Sequence, residues 1–303
     1  MMAAVMAVIV MAGQTAPAAP MLDQLKNATY VGIDVEPVRL ENGISEGKPF
    51  RPGGPTRPRV GLLPSTLVTG DLDGDGAPEA AILLWRASGG SGVFTYLAVA
   101  ASRHGKVENI ATVSVGDREQ VRSLSIAGTR IVMDLVAHGP DEPMCCPTKK
   151  QRRTWELTGA GLKELPTQVL GTIVVADLEG ATWTLKSLDG DTPLPAGVTV
   201  SLTVKNGRAG GTGGCNNYSG PIAPGDGART LKVGPLSSTR MFCAGAGSEV
   251  ETTYLAALQA VFQFGFAAGD LVLTYKDGDG IRTLRYETSR PTLRRAPPPN
   301  GSS

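Results

Sequence analysis

The densest chemistry in the chain is the stretch DLDGDGAPE, Asp71 to Glu79. Carboxylates at alternate positions of a short loop suit a hard divalent cation, because calcium takes about six to eight oxygen ligands. Asp71, Asp73 and Asp75 stand at loop positions 1, 3 and 5, and Gly76 occupies the sharp turn at position 6. The Ala77 carbonyl follows at position 7 and the Glu79 carboxylate at position 9. Side-chain carboxylates this close repel one another until a cation neutralises them. The spacing therefore predicts a Ca2+ site built by Asp71, Asp73, Asp75, Ala77 and Glu79, structural rather than signalling in role. A solvated acidic turn without metal is the plain alternative.

The flanks decide what kind of loop this is. A helix-flanked calcium loop places a bidentate Glu at position 12, where this chain has Ile82. Thr66-Leu67-Val68-Thr69 leads in and AAILLW, residues 80–85, leads out, both strand-like. The loop resembles instead that of FG-GAP-type repeats, D-x-D-G-D-G-x-x-[DE], in which a hairpin wraps one ion. The resemblance covers about residues 68–98 in a single good copy. Asp277-Gly278-Asp279-Gly280 lacks the leading acids and reads as a turn.

The elements around the loop are expected to be mainly strands. With 39 Gly and 22 Pro in 303 residues, the composition favours short strands and many turns. With a net charge of +1, nothing in the charge balance suggests nucleic acid or an anionic membrane as a partner. Strand-like runs fall at 80–85, 93–102, 108–116, 121–128, 130–138 and 153–159, separated by turn residues. Asn42-Gly43 and Asn206-Gly207 mark hairpins. Ser248 and Glu251 form the pattern of a capping box. Val250, Tyr254, Leu255, Leu258, Val261 and Phe262 follow at helical spacing, so a helix is predicted from Ser248 to about Gln263. The fold class is mainly β: an antiparallel β domain over 19–165, a linker or joining strand over 166–179, and an α+β domain over 180–287. A polar, Pro-rich tail over 288–303 is expected to be disordered.

Met2 to Ala12 is apolar but shorter than the ~20 residues that span a bilayer. It reads as the core of a secretory signal peptide, residues 1–18, cleaved after Ala18. The mature chain is then periplasmic or secreted, with no transmembrane span and no cysteine at the cleavage point to carry a lipid. In an exported chain the 4 cysteines suggest disulfides. The absence of CxxC, with only 2 His, argues against structural zinc.

The second half carries its own landmarks. They are Trp183, Gly214-Cys215-Asn216 with Tyr218 and Gly220, Thr239-x-Met241-x-Cys243, Glu251, and the Leu255/Leu258 helix. In this order they resemble the META/HslJ family over about residues 180–286. The resemblance implies a small antiparallel sheet plus one helix, an envelope or secreted location, and association with heat shock or stress. It implies no reaction. Cys215 and Cys243 flank a strand pair, and a disulfide between them pins the Gly-rich turn to the start of the helix. Cys145–Cys146 is then the second pairing, either a kink before Pro147 or a reducible vicinal bridge. Asn216, Asn217, Tyr218 and Ser219 are a candidate ligand pocket; tight-turn chemistry is the alternative.

Catalytic groups are scarce. Ser91 does not lie in G-x-S-x-G, His104 sits in a turn, and His138 with Cys145 is the one nucleophile–base pair that can be drawn. The basic run Lys149, Lys150, Arg152 and Arg153 reads as a solvated hairpin face. The sequence therefore reads as a non-catalytic binding protein for a protein or cell-envelope component. The alternative is an extracytoplasmic hydrolase with its site between the domains.

Overall fold

Residues 80–84 are apolar at every position, and their strand is covered on both faces, as such a run requires. In the computed structural model, which describes residues 19–143, 146–190 and 192–289, the strand Glu79–Ala87 is the centre of a five-stranded antiparallel sheet. The order is Ile44–Glu46, Arg59–Gly70, Glu79–Ala87, Val93–Arg103, Lys106–Asp117. Ala81 and Leu83 pack with Leu97, Val99 and Ala111 against a second sheet that supplies Leu124, Ile131, Met133, Leu135 and Trp155. On the opposite face, Ala80, Ile82 and Leu84 pack against Leu25, Ala28, Tyr30, Ile33 and Leu40 of the N-terminal segment. That segment holds only a short helix, Leu22–Leu25, and two-residue strands, yet it forms a third layer.

The second sheet runs Gly161–Glu164, Lys149–Thr158, Arg130–Ala137, Gln120–Ala127. The strands expected from sequence are present with their ends shifted by a few residues. The basic run lies on Lys149–Thr158 and is neutralised rather than merely solvated. Lys150 pairs with Asp177 at 2.7 Å, Arg152 with Asp134 at 2.7 Å, and Arg153 with Glu164 at 2.7 Å.

Residues 166–179, expected as a linker or joining strand, are built into both halves. Gln168–Thr172 pairs with Lys149–Thr158. The 3-10 turn Val175–Leu178 then sends Val175 and Leu178 into the C-terminal core.

In the C-terminal unit the path is Leu231–Val233, Asn217–Pro224, Arg208–Thr212, Ser201–Lys205, Thr182–Leu188, Gly280–Ser289, Asp270–Asp277, Val261–Ala267. Its two ends meet: Thr230 bridges Gln263, and the Phe264 N–H donates to the Arg229 carbonyl at 2.9 Å. The sheet thus curls almost shut, which covers its edges. The helix Gly247–Gln259 fills the concave side with Val250, Tyr254, Ala257 and Leu258.

Two sequence expectations for this helix are corrected. Ser248 does not cap it: the helix starts at Gly247 after Ala246, no side chain caps it, and the Ser248 hydroxyl donates to the Cys243 carbonyl at 3.3 Å. Glu251, the other half of the expected box, accepts instead from the Asn216 N–H. The helix also stops at Gln259. Val261 and Phe262 continue its apolar face by spacing, but they belong to Val261–Ala267, where pairing with Asp270–Asp277 overrides the helical period.

The hairpin signals hold. Asn42 and Gly43 have φ of 53° and 89°, and Asn206 and Gly207 have 50° and 70°, the double positive φ that a tight two-residue turn needs. The strand Gly280–Ser289 runs into the expected tail, and residues 290–303 and the expected signal segment 1–18 lie outside the described residues. Among the described residues no helix is long and apolar enough to cross a membrane.

Candidate metal site

The acidic loop joins Arg59–Gly70 to Glu79–Ala87, and Gly70 pairs with Glu79 to close its base. Leu72, the residue between the first two aspartates, is only 2% exposed and sits in the core between the two sheets. One apolar side chain thus anchors an otherwise polar loop. Gly74 and Gly76 have φ of 82° and 86°, a conformation in which a side chain is strained.

Each aspartate shapes the loop through the backbone. Asp71 accepts from Gly74 N–H at 2.7 Å with one carboxylate oxygen and from Gly76 N–H at 3.0 Å with the other. Asp73 accepts from Asp75 N–H at 3.1 Å, and Asp75 from Ala77 N–H at 2.7 Å. Glu79 is 3% exposed and accepts from Leu72 N–H at 2.8 Å. Burial is the main cause that holds its carboxyl above the usual range, with added repulsion from Asp73, Asp75 and Asp71; the Leu72 hydrogen bond opposes them.

Carboxylate oxygens of Asp71, Asp73 and Glu79 all lie within 4.8 Å of one another. Oxygens on opposite sides of a calcium ion are about 5 Å apart, twice a bond of about 2.3–2.6 Å. The three carboxylates therefore fit one ion. A small cavity of about 60 Å³ beside them is lined by Asp73, Asp75, Ala77 and Glu79, with Arg103 from the neighbouring strand. Asp75 and Ala77 border this space but are not part of the tight carboxylate group. Sequence reasoning missed both the Leu72 anchor and Arg103. The alternation of Leu72 with the acids carried a signal for the anchor; nothing near Arg103 did.

The four residues Asn216 to Ser219 are not gathered around one cavity. Asn216 lies in the bend before the strand Asn217–Pro224, and the other three begin that strand, where successive side chains take opposite faces. Asn216 is buried and satisfied: its carbonyl oxygen accepts from Met241 N–H at 2.7 Å and the Thr239 hydroxyl at 2.9 Å. Its amide group donates to Glu251 at 3.2 Å. Tyr218 points inward, 2.7 Å from the Tyr254 hydroxyl, while Asn217 is exposed and Ser219 accepts from Arg208 at 2.6 Å. Tyr286 donates to Tyr254 at 3.3 Å, which completes a buried chain of phenols whose pKa values burial pushes up. The Asn216 bonds lock the turn that precedes the strand. Beside it the Cys215–Cys243 disulfide is formed, with Cα atoms 5.9 Å apart. Cys145 lies outside the described residues, and with it the Cys145–Cys146 and His138–Cys145 expectations.

A cleft of about 470 Å³ does lie between the two halves. Asp270 there holds Lys186 at 3.1 Å and Arg285 at 2.7 Å, while the Glu287 carboxylate, also in the lining, makes no ion pair with the described residues. The Ser65 hydroxyl there donates to the Ala268 carbonyl at 3.3 Å, and no His or Cys is among the lining residues.

Residues 176–288 match the family described as META domain. The C-terminal unit thus carries a META domain, in accord with the landmarks from Trp183 to Leu258. No curated protein matches the chain. Among solved structures, the chain is similar to one described as the NMR structure of a protein from Burkholderia xenovorans. The identity is 29%, the match covers 37% of this chain and 83% of that one, and the TM-score is 0.30.

Proposed function

We propose that this META domain-bearing chain is a non-catalytic extracytoplasmic protein, periplasmic or secreted. In this reading it binds a protein or cell-envelope component in an envelope or stress-related role, and a calcium ion staples its N-terminal sandwich. The META match and the Cys215–Cys243 disulfide support the location and class, because disulfides persist in oxidising compartments. One observation carries the metal: carboxylates of Asp71, Asp73 and the buried Glu79 converge within 4.8 Å.

Asp71, Asp73 and Glu79 would hold the ion, with Asp75 and Ala77 completing the loop's oxygen set. The ion would supply positive charge among carboxylates that otherwise repel one another. The chain's own groups do the positioning: the Asp71 hydrogen bonds fold the loop, Leu72 ties it to the core, and Glu79 ties it to the central strand. Calcium titration by calorimetry, on the chain from Ala19 and on an Asp73→Ala/Asp75→Ala variant, tests this. Saturable heat that the variant loses supports the staple. No heat at millimolar calcium reduces the loop to an acidic turn.

A further inference from the structure

Arg229 is 8% exposed, yet its guanidinium makes no ion pair or hydrogen bond with the described residues. A buried, unpaired arginine is costly, since the charge is always present and keeps its five donors. Its backbone is fixed where the C-terminal sheet closes, through the Phe264 N–H to Arg229 carbonyl bond. Its side chain lines a cavity of about 240 Å³ on the outer face of Val261–Ala267, where Gln120 of the N-terminal half comes down onto the sheet.

The rest of the cavity offers donors. The Gln120 side-chain oxygen at its edge is already used, accepting from Phe266 N–H at 3.0 Å. Gln263 and Thr274 add an amide and a hydroxyl with no hydrogen bond to the described residues. Gly265 leaves the floor bare: a Cβ there would stand 2.9 Å from the Gln120 oxygen and 3.4 Å from an Arg229 nitrogen. No carboxylate lines the space. Glu142 attracts Arg229 from a distance, but its oxygens are taken by Gly139 N–H at 3.0 Å, Thr148 N–H at 2.9 Å and the Thr148 hydroxyl.

We propose that this cavity is a binding site for a small organic carboxylate, held by Arg229 and oriented by the Gln263 and Thr274 donors. A planar guanidinium matches a carboxylate with two parallel hydrogen bonds. The volume is below the ~300–1,000 Å³ of drug-sized ligands, so the acid group comes on a small molecule or at a peptide's end. This site is independent of the calcium reading.

The test is calorimetry and thermal shift on the full chain at constant ionic strength. The probes are propionate, N-acetylalanine, the amide of N-acetylalanine, and inorganic phosphate. Saturable binding of the two acids with Kd on the order of millimolar, and none of the amide, supports the site. Tighter binding of N-acetylalanine than of propionate assigns it to peptide termini; equal binding assigns it to free acids. Arg229→Gln and Gly265→Ala should each weaken binding at least tenfold. If Arg229→Gln does not fold, Gln263→Ala and Thr274→Val on the cavity wall carry the same test, with a several-fold loss expected. No saturable binding of either acid, binding unchanged in the variants, or phosphate tighter than both acids overturns the proposal.

Discussion

Glu79→Gln separates a metal staple from a plain acidic turn, because its effect on stability should depend on calcium. Gln keeps the shape and can still accept from Leu72 N–H, so the change removes charge and little else. Without metal, Glu79 stands within 4.8 Å of the Asp71 and Asp73 carboxylates. Two unit charges at that distance repel by about 3.5 kcal/mol at an effective dielectric of about 20 and about 0.9 kcal/mol in water. Asp73 is exposed and lies near the lower figure, so the variant should be more stable than the parent in EDTA by about 1–3 kcal/mol. With calcium at about 100 times Kd the parent gains about 2.7 kcal/mol and the variant far less, so its advantage vanishes or reverses. Urea unfolding followed by tryptophan fluorescence reports this, since Trp155 is fully buried in the core under the loop. A variant less stable than the parent in EDTA refutes the repulsion argument. Equal calcium gains in both proteins refute Glu79 as a ligand.

Other outcomes follow from the geometry. Cys215→Ala with Cys243→Ala opens a loop whose ends are 28 residues apart, for which chain entropy gives a loss of about 3–4 kcal/mol in urea melts; a loss under about 1 kcal/mol would mean that the turn is held without the bridge. Asn216→Ala strands Met241 N–H and the Thr239 hydroxyl and should cost about 2–4 kcal/mol by the same melts, more than Asn217→Ala at the exposed neighbour. Burial is the main cause that raises the Glu119 carboxyl to about 7, with Asp117 adding and Arg153 opposing. The folded chain therefore keeps this proton longer than the unfolded one, and the Glu119 contribution to stability declines as pH rises from the ordinary carboxylate range through about 7. Glu119→Gln should flatten that part of the pH–stability curve, and an unchanged slope would contradict the assignment. Glu142 works the other way: burial acts to raise it, but bonds from Thr148 and Gly139 and the charge of Lys149 win and hold it at about 2. Its contribution is present above the ordinary carboxylate range and lost on acidification toward about 2, which Glu142→Gln should abolish.

Much of the fold was legible because its signals are local. Asn42-Gly43 and Asn206-Gly207 need no partner to demand positive φ, and the alternating runs placed the strands. The misses are where distant groups compete. Ser248 and Glu251 are spaced as a cap, but Glu251 finds a better use at the turn after Gly213, which lies far away in sequence. Val261 and Phe262 fit the helix by period, and only the strand Asp270–Asp277 decides otherwise. At the acidic loop the acids were readable and the 4.8 Å convergence was not, since it depends on Leu72 finding the core. Arg229 gave no signal, because a cation in a Gly-rich loop reads as solvated until Gly265 and Gln120 are placed beside it.

The two-sided burial of Glu79–Ala87 has a consequence for how the chain comes into being. Leu25, Tyr30 and Leu40 leave the ribosome first, but the strands they cover extend to Val93–Arg103. Until those residues have emerged, the leading apolar layer has no surface to lie on. A truncation past Leu40 would make that exposure permanent by leaving Ile82 and Leu84 uncovered on the finished sheet.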